Sequence, residues 1–524
     1  MKKQHTILFF LFVFCLQPLS AQDTLKFYEP SKKEVSHKSL DLGINSVGLS
    51  FGNSKNNTGF RFNFRDDHIG TIRGLNFSIW MPGQNPDSRI DGIALAIVLA
   101  EASNINGISF GLGGVTGDHI SGLSAGVVGV GSMKSIRGFS VGGLGVGTHG
   151  NLSGFALAGL GIGAGENLSG FALSGAGIGV GKNLSGGSFS FVGTGVGGNS
   201  RGIHGALVGM GIGGSAKGIH IAGIGIGAGS GMSGINIAGI GMGSEGELFG
   251  LNVAGIGIGA GGKMTGINIA GMGMGVGGDA KGITFAGLGF GVDGNLTGAS
   301  VTFGGAGIDG NATGITLAGI GLGISGHAKY INVGGIGVGV GSSTGFLAAG
   351  VGLGIAKSAM GLNFAGVGIG AGKSLIGLNF AGVGMGAGES IRGINLTAGG
   401  MGSKEISFFS IAGLGIGALK IRGFAASVGG IGTKDFSGFS ITGYKTEATA
   451  FKGINISALR FKTEGMTGGS FAALNQVKGH QHGVTIGIWN YARTIKGFQL
   501  GIINVVRKNP TWARVLPLFN TNFN

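Results

Sequence analysis

From Gly138 onward, one pattern of apolar and polar positions returns every sixteen residues, anchored on a glycine at Gly138, Gly154, Gly170 and so on without a slip to Gly314. Tyr330 takes the next anchor position, Gly345, Gly361, Gly377 and Gly393 follow, and beyond Phe408 the step is mostly fifteen as far as Gly497. Within a unit such as "GINIAGIGMGSEGELF" (234–249), Ile235 and Ile237 share one parity along the chain, whereas Ile240 and Met242 share the other. A flat strand keeps one parity, so the pattern predicts a turn near Ala238–Gly239 with both apolar pairs pointing inward. A third apolar mark lies two residues before each anchor, at Leu152, Leu168, Leu184, Met232, Leu248, Met264 and Leu296. Met272 and Met274 are placed with Met264 in the core.

Three short apolar sides per unit are what one coil of a β-solenoid requires. Repetition at a fixed period decides the fold before anything else, and the prediction is an all-β solenoid of about 28 coils counted from Gly74, with 15–16 residues per coil. Coils about 4.8 Å apart make a rod on the order of 130 Å long. The alternative is an outer-membrane up-and-down β-barrel in which each unit is one strand. It is disfavoured because a straight strand from Ile235 would put Gly239, Gly241 and Gly243 in the lipid-facing band. The expected organisation is a signal peptide at 1–21, an N-terminal cap region at 22–73, the repeat domain at 74–502 and a C-terminal cap segment at 503–524.

Composition sharpens this picture. The 524 residues include 124 glycines and six prolines, with no glycine at every third place, so collagen is excluded. At 43% apolar and 11% charged, the chain is too apolar for a disordered linker. The expected inward set leaves Gly239, Gly241, Gly255, Gly257, Gly271 and Gly273 on an outer side almost bare of side chains. Glycine weakens a strand, so the expectation is that this side packs closely against another flat surface. Asn236, Asn252, Asn268, Asn363, Asn379, Asn395 and Asn455 form a row expected to face outward or to bond along the stack. His204, His220, Thr284 and Thr316 fall on the same row. Arg137, Arg201, Lys217, Lys281, Arg392, Arg422 and Lys452 form a solvated edge.

Lys2 and Lys3, the apolar run Ile7–Leu16 and the small residues Ser20 and Ala21 read as an export signal. The only cysteine, Cys15, lies within it. Export turns the net charge of +15 towards anionic glycans or lipid head groups as partners, and not towards nucleic acid. "GVGIGAGKSLIG" (366–377) imitates a nucleotide-binding loop, but Val367 stands where the leading glycine belongs and another strand-like unit follows. His480 and His482 form no ligand set with a nearby Cys, Asp or Glu, and Asp279, Asp293 and Asp309 belong to turns. No cofactor, metal or catalytic residue is expected.

The segment "GVTIGIWNYARTIKGFQLGIINVVRKNPTWARVLPLFNTNF" (483–523), with the central "GINIAGIGIGAG" units, resembles bacterial surface repeat-containing proteins. Repeats of that family read G-φ-x-φ-G-G-φ-G-φ-G, and its ends carry R-φ-L-P-L-φ-N, here Arg514–Asn520. The resemblance implies a cell surface or outer membrane address in a Gram-negative bacterium and transfers no activity. The expected role is non-enzymatic, structural or adhesive, with self-association through the glycine side. A barrel or pore is the rival, and an ice- or glycan-binding solenoid a weaker one.

Overall fold

The computed structural model describes residues 37–522. The predicted signal peptide at 1–21 lies outside the described residues. Successive coils pair in parallel and in register: Gly234 lies against Gly250, Asn236 against Asn252 and Ala238 against Ala254, and the same partners recur one coil further on. The architecture is a β-solenoid of about 28 coils from Gly74. Parallel pairing between consecutive units excludes the up-and-down barrel, whose neighbouring strands are antiparallel. Two further stacked glycines, Gly48 and Gly59, carry the ladder below Gly74 into the region expected as a cap.

Each coil has three sides. In the coil containing Gly234, the first side carries Met232 inward, the second runs from Ile235 to Ala238, and the third from Gly241 to Ser244. Met232, Asn236, Ala238, Met242 and Ser244 are all buried. These residues share one parity, and the corners fall on it too, at Gly234, Ile240 and Gly246. The expected change of phase near Gly239 is therefore wrong. Ile235, Ile237 and Ile240 point outward, with Ile235 37% and Ile240 46% exposed. The asparagine row, expected outward or bonded along the stack, is inward and bonded. Met272 is exposed, whereas Met264 and Met274 are buried as expected.

The reason is the narrowness of the interior. In most coils the second side contributes Asn or another polar residue and then a small one, and the large aliphatic residues enter mainly from the first and third sides, Leu347 being a buried exception on the second. Asn236 Nδ2 donates to Asn252 Oδ1 at 2.9 Å, and Asn252 Nδ2 to Asn268 Oδ1 at 2.8 Å. Asn363, Asn379 and Asn395 repeat the arrangement at 2.8 Å. Stacked amides satisfy one another along the coil axis, which makes a buried polar row tolerable.

The anchor glycines make the first corner. Gly234 has φ +112°, and a Cβ there would lie 2.1 Å from the carbonyl oxygen of Gly218 in the preceding coil. Only glycine meets both conditions at low cost. In the shorter coils the third corner loses a residue and the strand runs through it, as in Gly400–Ala412 and Gly415–Ser427.

Both ends are closed by antiparallel strands. Ser39–Ile44 pairs with Val47–Gly52 through Asn45 and Ser46, both at positive φ, as a tight two-residue hairpin demands. Val515–Thr521 lies antiparallel to the last coil. Near the first cap, Arg61 is fully buried on Asp66, with Nη1 2.6 Å from Asn76 Oδ1 and Nη2 3.0 Å from Asn53 Oδ1. Burial alone would raise the Asp66 carboxyl, but Arg61 and hydrogen bonds from Ser78 and Asn63 outweigh it and hold its pKa below the ordinary value.

Candidate functional site

The outward positions of the third side are glycine at both places, from Gly129 and Gly131 to Gly430 and Gly432, through twenty successive coils. At the second place, which includes Gly243, Gly259 and Gly275, an added Cβ would meet no atom closer than 3.9 Å. None of these second-place glycines has a positive φ. The fold itself therefore has room for side chains here, and the third side is a bare trough about 95 Å long. Its ends are marked by polar groups: the row continues into Thr116 and Glu101 at one end and Glu447 at the other.

The six glycines expected to form the bare side divide into two classes. Gly241, Gly257 and Gly273 lie on the trough, where an added Cβ comes no closer than 3.6 Å to any atom. Gly239, Gly255 and Gly271 stand at the second corner, where a Cβ would fall 1.9–2.0 Å from the carbonyl oxygen of the coil below. Those three serve the backbone's own close stacking.

At the N-terminal end the trough deepens into a cavity of about 1050 Å³ walled by the loop 83–86, Glu101, Asp118 and His149. Burial raises the Glu101 pKa, partly opposed by a hydrogen bond with Thr116. Asp118 is paired with Lys134 at 3.1 Å. At the far end Lys445 and Lys462 hydrogen-bond the Glu447 carboxylate and hold its pKa down at about 2.

The second side faces outward with the apolar residues that the sequence pattern places inside. The row directly after the anchors runs Leu49, Phe60, Leu75 and on to Val484 and Phe498. The row two residues later runs Phe51, Phe62, Phe77 and on to Ile486 and Leu500. Neither row contains a polar side chain. Phenylalanines stack along it, with ring centroids 4.8 Å apart for Phe139 and Phe155 and 4.7 Å for Phe409 and Phe424. The corner residues Leu160, Ile224, Ile256 and Val383 add a third exposed apolar row. The sequence carries these rows plainly, but equating apolar with inward assigns them to the wrong side.

Other candidate residues are placed as follows. His204 and His220 are buried with their rings tilted by 38° and centroids 5.3 Å apart; Ser188 Oγ lies 2.8 Å from His204 Nδ1 and Ser200 Oγ 3.1 Å from His220 Nε2. Burial, with the neighbouring His204 adding to it, pushes the His220 pKa down to about 4. Thr284 and Thr316 are buried, so they cannot present the array an ice-binding face needs. Asp279 Oδ1 accepts from Asn295 N at 2.8 Å within a turn ladder. His480 and His482 are exposed on either side of buried Gln481. Lys373 and Ser374 lie at a coil corner, followed by the strand Ser374–Ala381 and no helix. Among the described residues no group of three His, Cys, Asp or Glu is placed to hold a metal ion. No protein-family model, curated protein or solved structure matches the chain.

Proposed function

We propose that the chain is a non-enzymatic structural rod of the bacterial cell envelope that associates with further copies of itself through the glycine trough. One observation carries this reading. Twenty coils hold glycine at outward positions where the fold leaves room for a side chain and the backbone conformation does not require glycine. Glycine in a strand costs roughly 0.5–1 kcal/mol relative to alanine, so its retention coil after coil points to a constraint outside the single rod. A flat surface approaching to backbone distance is such a constraint.

The test is Gly243→Leu with Gly259→Leu. The β circular dichroism signal should persist while assemblies above the basal oligomer disappear in sedimentation velocity. Unchanged assembly with an intact β signal would remove the trough from the account. The address rests on residues 1–21 and is read by N-terminal sequencing of the envelope fraction, where a chain beginning near Gln22 is expected. The exposed basic residues from Lys404 onward, Arg422 and Lys452 among them, support anionic glycans or lipid head groups as secondary partners.

A further inference from the structure

We propose that the outward apolar wall of the second side is a dimer interface, covered by the same wall of a second copy lying antiparallel. The wall runs from the first cap strand, where Leu40 and Leu42 pair beside Phe51 and Leu49, to the last, where Phe519 pairs beside Leu500. Monomeric soluble proteins rarely expose contiguous apolar patches beyond a few hundred Å². About thirty stacked coils, roughly 4.8 Å apart and four residues wide, present roughly 1,900 Å² of flat face. That is more than twice the about 800 Å² per partner of a standard stable interface.

One observation favours a second copy over a lipid surface. The wall consists of similar apolar rungs at a fixed spacing, and two such faces interdigitate row into row. Its margin just before the anchors mixes Ser153, Ser169, Ser185 and Ser233 with Arg201, Lys217 and Lys281 and does not by itself choose between the two.

Charge sets the orientation. Residues 404–524 hold fourteen Lys or Arg against four Asp or Glu, whereas 37–130 hold six against seven. A parallel pair would lay the two basic thirds together. An antiparallel pair separates them and closes with two-fold symmetry, which stops growth on this face. Full overlap then sets Phe155 of one copy near Ile394 of the other, because these lie equally many coils from opposite ends.

This inference does not rest on the trough, and the experiment keeps the two apart. In a Gly243→Leu, Gly259→Leu background the chain should sediment as a dimer. Adding Phe171→Lys, Ile235→Lys, Ile315→Lys and Phe380→Lys should give a monomer with an unchanged β signal. In a Cys15→Ser background, mixing Phe155→Cys and Ile394→Cys chains with a short bis-maleimide should crosslink them, while Phe155→Cys alone should not. A monomeric Gly243→Leu, Gly259→Leu chain, a lysine variant that stays dimeric, or crosslinking of Phe155→Cys to itself would overturn the proposal. So would a monomer that floats with phosphatidylethanolamine and phosphatidylglycerol vesicles, which would assign the wall to lipid. If the trough reading fails while this one stands, the unmodified chain is itself a dimer and the wall lysines alone make it a monomer.

Discussion

Gly234 and Tyr330 occupy the same corner in different coils and illustrate what a single residue decides. Tyr330 and Phe408 hold this position at φ +74° and +84°, a region that costs an L-residue of this kind about 1–2 kcal/mol. Both side chains point into solvent. Gly234→Ala should cost more than about 2 kcal/mol, since conformational strain adds to a Cβ 2.1 Å from the Gly218 oxygen. Tyr330→Gly, by contrast, should change stability by less than about 0.5 kcal/mol, because the strain relieved offsets the entropy that glycine adds to the unfolded chain. Local hydrogen exchange of the flanking coils measures both. The anchor glycines are legible in the sequence as a period, but their positive φ is not, since a periodic glycine has the same appearance whether it makes a corner or a bare surface.

The buried histidines give a pH dependence whose sign follows from linkage. His220 titrates at about 4 in the fold against an ordinary 6.5, so the unfolded coil binds the proton more tightly. The stability these coils have at neutral pH is present above about 6.5 and is lost as pH falls towards 4. Hydrogen-exchange protection, measured against the intrinsic rate at each pH, should fall in coils 186–233 over that window, and more than in coils 234–281. His204→Asn with His220→Asn, which installs the residue neighbouring coils carry, should abolish the difference; an unchanged pH response would assign it to other groups.

At the scale of a strand, the sequence pattern and the structure part over parity. The period, the three sides and the buried first side are legible, because Leu152, Leu168 and Leu248 recur at one register position and are all fully buried. The second side is inverted relative to expectation because Asn236 and Ala238 are smaller and more polar than Ile235 and Ile237. A thin interior favours the small pair, and each inner rung of the amide ladder bonds the next. Removing one rung should therefore matter. Asn252→Ala leaves the amides of Asn236 and Asn268 without that partner, at about 1–3 kcal/mol for each buried polar group left unpaired. The preceding residue, Leu251, faces outward, so Leu251→Thr should cost the isolated rod no more than about 0.5 kcal/mol, as expected of a surface substitution. Chemical denaturation monitored at the affected coils separates the two, and equal effects would argue that the assigned parity is wrong.

For the whole molecule, stability accumulates along one dimension, each coil resting on its neighbours. The caps are then the elements that keep rods from joining end to end, because an open terminal coil offers a row of unpaired backbone groups. Deleting 511–524 opens one end only, so it should produce end-to-end pairs visible as rods of about doubled length in electron micrographs, with width unchanged. The two long faces, one bare and one apolar, provide the lateral contacts proposed above, and only the apolar one depends on the parity of the second side.

The parallel, in-register stack with Ile235 and its row on the outside is the claim on which everything else depends. Spin labels at Ile203→Cys with Ile283→Cys, five coils apart on the same row, and at Ile203→Cys with Leu362→Cys, ten coils apart, test it in a Cys15→Ser chain diluted with unlabelled protein. Dipolar spectroscopy should return about 24 Å for the first pair and about 48 Å for the second, a linear rise of about 4.8 Å per coil, with both labels mobile in the monomeric lysine variant. Distances that fail to double, or labels immobilised in that monomer, would contradict the solenoid and its outward wall.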